Sequence, residues 1–254
     1  MDSSAAIEFR HVSYHADQGE AILQDLNLTV HRGETLVLLG RSGSGKTTTL
    51  KLINQLLRPS SGEIHVAGRA LREWNVIRLR RMIGYVIQEV GLFPHFTVER
   101  NIGLVPKIEN WPRDRIRQRV EELLHLVGLD PQIAARYPRE LSGGQRQRVG
   151  VARALAADPP ILLMDEPFGA LDPLTRAQLQ REFLDLEARL GKTVVFVTHD
   201  LNEALLVGTR IALLEAGRLV TLNPREEFLR SSEPLAIAYR NAFKPDRGDE
   251  RGGA

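Results

Sequence analysis

The sequence predicts an α/β protein: a parallel β-sheet core, an antiparallel β subdomain on its N-terminal side and an inserted α-helical subdomain. Three observations carry that prediction. Short apolar runs bounded by turns, TLVLL (35–39), ILLMD (161–165) and TVVFVTH (193–199), have the composition of strands buried on both faces. Longer segments between them place apolar residues at helical spacing. A glycine-rich turn, GRSGSGK (40–46), joins the first apolar strand to a helix.

In chain order, Ile7–Tyr14 and Ile22–Val30 alternate apolar and polar residues and are separated by the turn-rich HADQGE, so they read as half-buried strands. HRGE (31–34) is a turn. After the glycine-rich loop, Leu50, Ile53 and Leu57 fall on one face of a helix that stops before Pro59. From Gln88 to Asp158 the pattern is mostly helical. Pro94, Pro106 and Pro112 punctuate its first part, and Ile116, Val120, Leu123 and Leu124 form a stripe. We place the helical subdomain at approximately 89–158. RIALLEAG (210–217) adds a further strand. Residues 1–243 read as one domain, and the polar 244–254 as a disordered tail.

Composition narrows the class. The chain of 254 residues is 43% hydrophobic and 26% charged, which is ordinary for a globular protein, and it is long enough to bury a large core. It has no cysteine, which excludes disulfides and thiolate–metal sites and fits a reducing compartment. The N-terminus lacks the basic region and apolar run of a secretory signal. No apolar run is long enough to cross a bilayer, so a membrane role is expected to come through a partner. The 34 Lys and Arg are nearly matched by 32 Asp and Glu. The basic runs Arg78–Arg81 and Arg113–Arg119 are broken by apolar residues at helical spacing, and we read them as solvated helix faces rather than a nucleic-acid stripe.

Gly40-x-x-x-x-Gly45-Lys46-Thr47 fits the nucleotide P-loop pattern in full. Backbone N–H groups have to curl around phosphates without Cβ interference, which is why the loop carries Gly40, Ser42, Gly43, Ser44 and Gly45. The helix that follows, starting with Lys46, Thr47 and Thr48, turns its positive end to the anion. Lys46 suits the β- and γ-phosphates of ATP, and Thr47 suits Mg²⁺. A bland glycine turn with a surface lysine would also match the letters, but strand before and helix after favour the nucleotide.

ILLMDEP sets Asp165 and Glu166 at a strand end, where open parallel sheets hold their ligands. Asp165 suits Mg²⁺, and Glu166 suits a general base that polarises water. As a bland alternative the pair merely ends a strand and caps a turn. His199 and Gln88 also follow apolar strands, and by position alone each is as compatible with a hydrogen-bonded bystander as with a catalytic group.

The remaining motif is LSGGQ (141–145). Ser142 and Gln145 form a capping box for a helix GQRQRVGVARALA. Two glycines at first helical positions reduce stability, and they open backbone N–H groups at a positive helix end. That makes a second anion site with no lysine of its own.

Together GRSGSGKT, Gln88, LSGGQ, ILLMDE, GALD (169–172) and His199, in this order and spacing, resemble the nucleotide-binding subunit of an ATP-binding cassette transporter over about residues 5–243. The resemblance implies a P-loop NTPase core and a head-to-tail homodimer that forms on ATP binding, with the signature LSGGQ of one chain closing on the γ-phosphate held by the other. It implies that Tyr14 stacks on adenine, that Gln88 touches Mg²⁺ and the lytic water, and that His199 contacts the γ-phosphate. Ser142, Gly143, Gly144 and Gln145 would bind the opposite nucleotide, and Asp172 would lie at the dimer seam. Gly169 stands where the family often has serine.

A lone cassette without membrane spans, coiled coil or zinc module is similar to an importer subunit. It would be cytoplasmic, peripheral on the inner membrane face, beside integral permease subunits and, indirectly, an external solute-binding protein. Ile83–Pro112, above all VIQEVGLFPHFTV, resembles importers of glycine betaine, choline and carnitine. The same Phe93, Pro94, Phe96 and Val98 equally fit the apolar groove that any importer offers its permease. An amino-acid or ion importer, and a soluble ATPase acting on a macromolecular complex, are the alternatives. Some members of the osmoprotectant group carry C-terminal regulatory modules; with the sequence ending at 254, none is expected here.

Overall fold

A computed structural model describes residues 4–16, 19–88, 91–169 and 171–243. Along the chain run β1 (Ala5–His15), β2 (Ala21–His31), β3 (Thr35–Leu39), α1 (Lys46–Ile53), β4 (Ser61–Val66), β5 (Arg69–Ala70), α2 (Val76–Arg81) and β6 (Ile83–Val86). Next come α3 (Val98–Ile102), α4 (Leu104–Ile108), α5 (Arg113–Leu126) and α6 (Gly143–Leu155). The chain then passes through β7 (Ile161–Asp165), α7 (Pro173–Leu190), β8 (Thr193–Thr198) and α8 (Leu201–Val207). It closes with β9 (Arg210–Glu215), β10 (Arg218–Pro224), α9 (Arg225–Phe228) and α10 (Pro234–Ala242).

The strands form two sheets. The smaller, in the order β2-β1-β4-β5, is antiparallel. The larger runs β10-β9-β3-β8-β7-β6 and is parallel except for the β9–β10 pair. This is the architecture expected from the apolar runs, with the N-terminal strands paired as predicted. The tail 244–254 lies outside the described residues.

β3 is central and wholly buried, so its side chains serve two cores. Val37 and Leu39 join the core shared with the helices of residues 98–155, whereas Leu36 and Leu38 join the core beneath the antiparallel sheet. Alternation along one strand thus welds the two layers together. Each fully buried leucine contributes about 1.5–3 kcal/mol of transfer free energy.

One element is shorter than its pattern predicts. The helix after the P-loop ends at Ile53, not near Leu57. Gln55 takes a left-handed backbone, φ 53°, and the amides of Leu56 and Leu57 both return to the Lys51 carbonyl. Arg80 then takes the carbonyls of Asn54 and Gln55, at 3.1 and 2.8 Å, which fixes the unwound end. Leu57 still packs on the core, but from a turn.

Parallel pairing positions the site. Leu39 pairs with Thr198, Asp165 with Val197 and Val86 with Met164, so β3, β6, β7 and β8 all end at one edge. The segments that follow them carry Gly40–Gly45, Gln88, Glu166 and His199.

Candidate nucleotide site

At that edge lies a cavity of about 1050 Å³, lined by Ser42 to Thr48 of the P-loop together with Gln88, Glu166 and His199. Its outer walls are Glu20–Ile22 and Gln24 on one side and Leu235, Ala238, Tyr239, Ala242 and Phe243 on another.

Steric need explains the P-loop glycines. A Cβ on Gly40 would lie 2.4 Å from the Leu214 carbonyl oxygen, and Gly43 has φ +79°. Gly45, at φ +97°, caps α1, and a Cβ there would meet Leu23 at 2.5 Å. Lys46 is 5% exposed, and its Nζ donates to the Gly40 and Arg41 carbonyls at 2.7 and 2.8 Å. An ammonium has three donors, so one is left for an anion. Burial lowers the lysine pKa, opposed by the charges of Glu166 and Asp165. The Ser44 hydroxyl is buried in the loop with no hydrogen-bond partner among the described residues, as a group awaiting an oxygen ligand would be.

Thr47 donates its hydroxyl to Asp165 at 2.9 Å, and the Tyr85 hydroxyl reaches the other Asp165 oxygen at 3.5 Å. Asp165 is 4% exposed, and its carboxyl is pushed above the usual range by burial and by Glu166, with Thr47, Lys51 and Tyr85 pulling the other way. A hydroxyl and a carboxylate oxygen this close, with Gln88 lining the same cavity as Thr47, form a hard-oxygen donor set of the kind Mg²⁺ takes alongside phosphate oxygens. Among the described residues no three His, Cys, Asp or Glu side chains form a closed metal cage.

Glu166 has φ 43°, a backbone region that costs an L-residue about 1–2 kcal/mol. Its amide donates to the Val197 carbonyl at 3.0 Å, which ties this turn to β8. The side chain receives Gln88 Nε2 at 3.4 Å and lies 3.2 Å from His199 Nδ1. The two residues that sequence position alone left open as bystanders, Gln88 and His199, therefore converge on one carboxylate. Strain held at a pocket carboxylate is a common mark of a functional residue, and no local sequence signal announces it.

The other expected residues lie elsewhere. Ser142 caps α6: its hydroxyl accepts from the Gln145 amide at 3.2 Å, and the Gln145 side chain returns to the Ser142 amide at 2.9 Å. The capping box is thus present, with Ser142 and Gly143 exposed and Gly144 and Gln145 half-exposed, and none of the four lines the cavity. Asp172 caps α7 through the Thr175 amide at 3.0 Å and is likewise off the cavity. Tyr14, on β1, pairs with Leu23 of β2, packs on the core beneath the antiparallel sheet and does not line the cavity. The aromatic wall comes from Tyr239 and Phe243, whose rings are parallel within 1° at 6.4 Å between centroids. Sequence reasoning missed α10, although Pro234 at its first turn and Leu235 and Tyr239 four apart were signals for it.

The comparisons with known proteins come to the same place. Residues 23–169 match the ABC transporter family. The chain is 50% identical over 225 residues to the glycine betaine/carnitine/choline transport ATP-binding protein OpuCA of Bacillus subtilis, covering 89% of this chain and 59% of that one. It is 53% identical over 214 residues to the glycine betaine uptake system ATP-binding protein YehX of Escherichia coli, covering 84% and 69%. Against OpuCA, therefore, this chain spans only about three fifths of the relative's length. Among solved structures, the dimeric cassette MJ0796 bound to ADP and Pi superposes with TM-score 0.78 at 34% identity, covering 86% of this chain and 98% of that one. The cbiO1 subunit of Clostridium perfringens, part of the transporter complex cbiONQ, gives 0.82 at 27%, covering 95% and 96%. A strand-borne P-loop, a carboxylate held by Gln88 and His199, a capped LSGGQ off its own cavity and these likenesses agree: the chain belongs to the ABC transporter family.

Proposed function

We propose that this chain is the ATP-hydrolysing subunit of a membrane importer, working as a head-to-tail homodimer beneath integral permease subunits. The observation that carries the reading is the convergence of Gln88 and His199 on Glu166, on the wall of the P-loop cavity. In the reaction, Lys46 and the loop amides bind the β- and γ-phosphates of ATP. Glu166 accepts a proton from water as its oxygen attacks the γ-phosphorus, while Gln88 and His199 orient carboxylate, water and phosphate. The γ-phosphorus–oxygen bond to ADP breaks, and inorganic phosphate leaves. Thr47, Asp165 and Gln88 would hold Mg²⁺, which neutralises charge on the phosphate oxygens when bound.

Ser142, Gly143, Gly144 and Gln145 complete the site of a second copy, since within one chain none of them lines the cavity. ATP then joins two cationic faces, and hydrolysis releases them. Among the described residues no helix is long and apolar enough to cross a membrane, which fits a subunit held at the inner, cytoplasmic face by its permease. The substrate class is the quaternary amines, glycine betaine, choline or carnitine, delivered by an external solute-binding protein; the likeness to the transport ATP-binding proteins OpuCA and YehX supports that choice. Glu89 and Val90, within the stretch that carried this reading, lie outside the described residues.

Glu166→Gln is expected to bind MgATP without turnover and to accumulate as a dimer in size-exclusion chromatography, and adding Ser142→Arg is expected to abolish that dimer. Wild-type turnover in Glu166→Gln would overturn the base assignment. Radiolabelled betaine, choline and carnitine uptake into proteoliposomes holding the captured permease tests the solute, and uptake of an amino acid alone would replace it.

A further inference from the structure

The helix behind the LSGGQ turn is fastened at points that the chemistry above leaves without a role. Arg148 lies on α6, one turn beyond Gly144, and its side chain is only 13% exposed. Its Nη1 donates to the Val127 and Gly128 carbonyls at 3.2 and 3.0 Å, and its Nη2 pairs with Glu182 Oε1 at 3.0 Å. Val127 is the residue at which α5 ends, and Glu182 stands midway along α7. One guanidinium therefore joins the free carbonyls of α5, the body of α6 and the middle of α7.

The surroundings are shaped to that contact. Gly128 has φ +67°, and a Cβ there would stand 2.8 Å from Arg148 Nη1 and 3.9 Å from the Glu182 carboxyl carbon. Gln178, one turn before Glu182, donates to the same Oε1 at 3.0 Å. The other oxygen, Oε2, is buried without a hydrogen-bond partner among the described residues. A second approach of the same two helices lies one turn back along α6. A Cβ on Gly144 would come within 2.7 Å of Thr175 Cγ2, so the backbone of α6 rests directly on α7 at that point.

A partly buried ion pair adds little net stability, because desolvation offsets the attraction, and the unpaired Glu182 oxygen adds a cost. What a planar fork on three oxygens does supply is geometry: it fits one setting of α6 against its neighbours. That setting is felt at the N-terminal end of the helix, where Ser142 and Gly143 are exposed and the two glycines have no side chains with which to anchor the first turn. We propose that Arg148 and Glu182 form a clasp that fixes α6 on α7, and so holds the LSGGQ amides in the orientation that the nucleotide of a second copy requires. The proposal rests on the head-to-tail reading above. Neither residue lines the cavity of its own chain, so both are positioning residues.

The test is a double-mutant cycle of Arg148→Met and Glu182→Gln, built in the Glu166→Gln chain so that MgATP is bound without being consumed. Sedimentation equilibrium with MgATP reads dimer formation, and isothermal titration with MgADP reads the nucleotide site of the single chain. Each single variant is expected to weaken the dimer about tenfold and to leave MgADP affinity unchanged, and the double variant to lose no more than either single one, because the two act as one link. Arg148→Lys, which keeps the charge and loses the fork, is expected to fall between the parent and Arg148→Met. MgADP affinity that falls in step with the dimer would mark a merely structural role and overturn the proposal. So would an unchanged dimer, or losses that multiply in the double variant. If the Glu166→Gln parent itself forms no dimer with MgATP, the head-to-tail reading fails. Amide hydrogen exchange over residues 141–155 of the nucleotide-free chain then decides the clasp alone: faster in both variants if it holds α6, unchanged if it does not. Should Arg148→Met not fold, Glu182→Gln and Arg148→Lys carry the same outcomes.

Discussion

The left-handed backbone of Glu166 leads to a prediction whose sign depends on strain alone. Compare Glu166→Ala with Glu166→Gly. Each removes the carboxylate, its 3.4 Å contact with Gln88 and its 3.2 Å contact with His199, so those losses cancel between the variants. What differs is the φ of 43°. Alanine keeps the left-handed penalty of about 1–2 kcal/mol. Glycine escapes it but gains unfolded-chain entropy worth about 0.4–1 kcal/mol. The difference leaves glycine ahead by roughly 0.8 kcal/mol, with a range of about 0–1.6. In a domain of this size that is about 2–3 °C in melting temperature. Differential scanning calorimetry without nucleotide measures it, and phosphate release confirms that neither variant turns over. Gln178, exposed on α7, is the control, because there alanine beats glycine by about 1 kcal/mol. Glu166→Ala melting above Glu166→Gly would refute the argument: the turn would then not be left-handed in solution.

Three further outcomes follow from other parts of the molecule. Lys46→Met loses the one charge-assisted hydrogen bond left for phosphate, worth about 1.5–3 kcal/mol, so MgATP affinity by isothermal titration should fall at least about tenfold. Asp165→Asn should melt about 2–4 °C above the wild type at neutral pH without nucleotide, the effect of about 1 kcal/mol at this size, while losing its magnesium-dependent ATP affinity. The sign follows from a carboxyl held above its ordinary 3.8 by burial: the wild type loses stability as pH rises from that value through the folded-state one, and the amide variant does not. Leu124→Ala, at a fully buried position of the core shared by α5 and the parallel sheet, should cost about 2–5 kcal/mol by urea denaturation.

Local patterns made the frame legible. TLVLL and ILLMD are strands to the residue, and GRSGSGK opens a helix at Lys46, because apolar runs and glycine turns act within a few residues. The Ser142–Gln145 capping box was equally readable, being a contact three residues long. What was not legible joins distant chain. Gln88 and Glu166 meet across 78 residues through the pairing of β6 with β7, and no local window holds both. Tyr239 and Phe243 reach the cavity wall from α10, about two hundred residues along the chain from the P-loop, so no local window joins them to it. Helix α1 looked one turn longer, because Leu57 keeps helical spacing and packs on the core from a left-handed turn. The strain at Glu166 has no residue-type signature, since glutamate is not a residue that favours positive φ.

The pairing of β3 also governs how this chain is made. Its neighbours in the sheet are β8 and β9, and the turn before it bonds Thr193 across 160 residues. At about 5–20 residues per second, a ribosome leaves TLVLL without either sheet partner for roughly 8–30 s. During that interval the strand that will carry the nucleotide loop is a five-residue apolar segment with both edges open, the kind that pairs with other chains. Yield of native protein should therefore depend on holdase chaperones that cover this segment, and slowing translation after residue 39 should lower it.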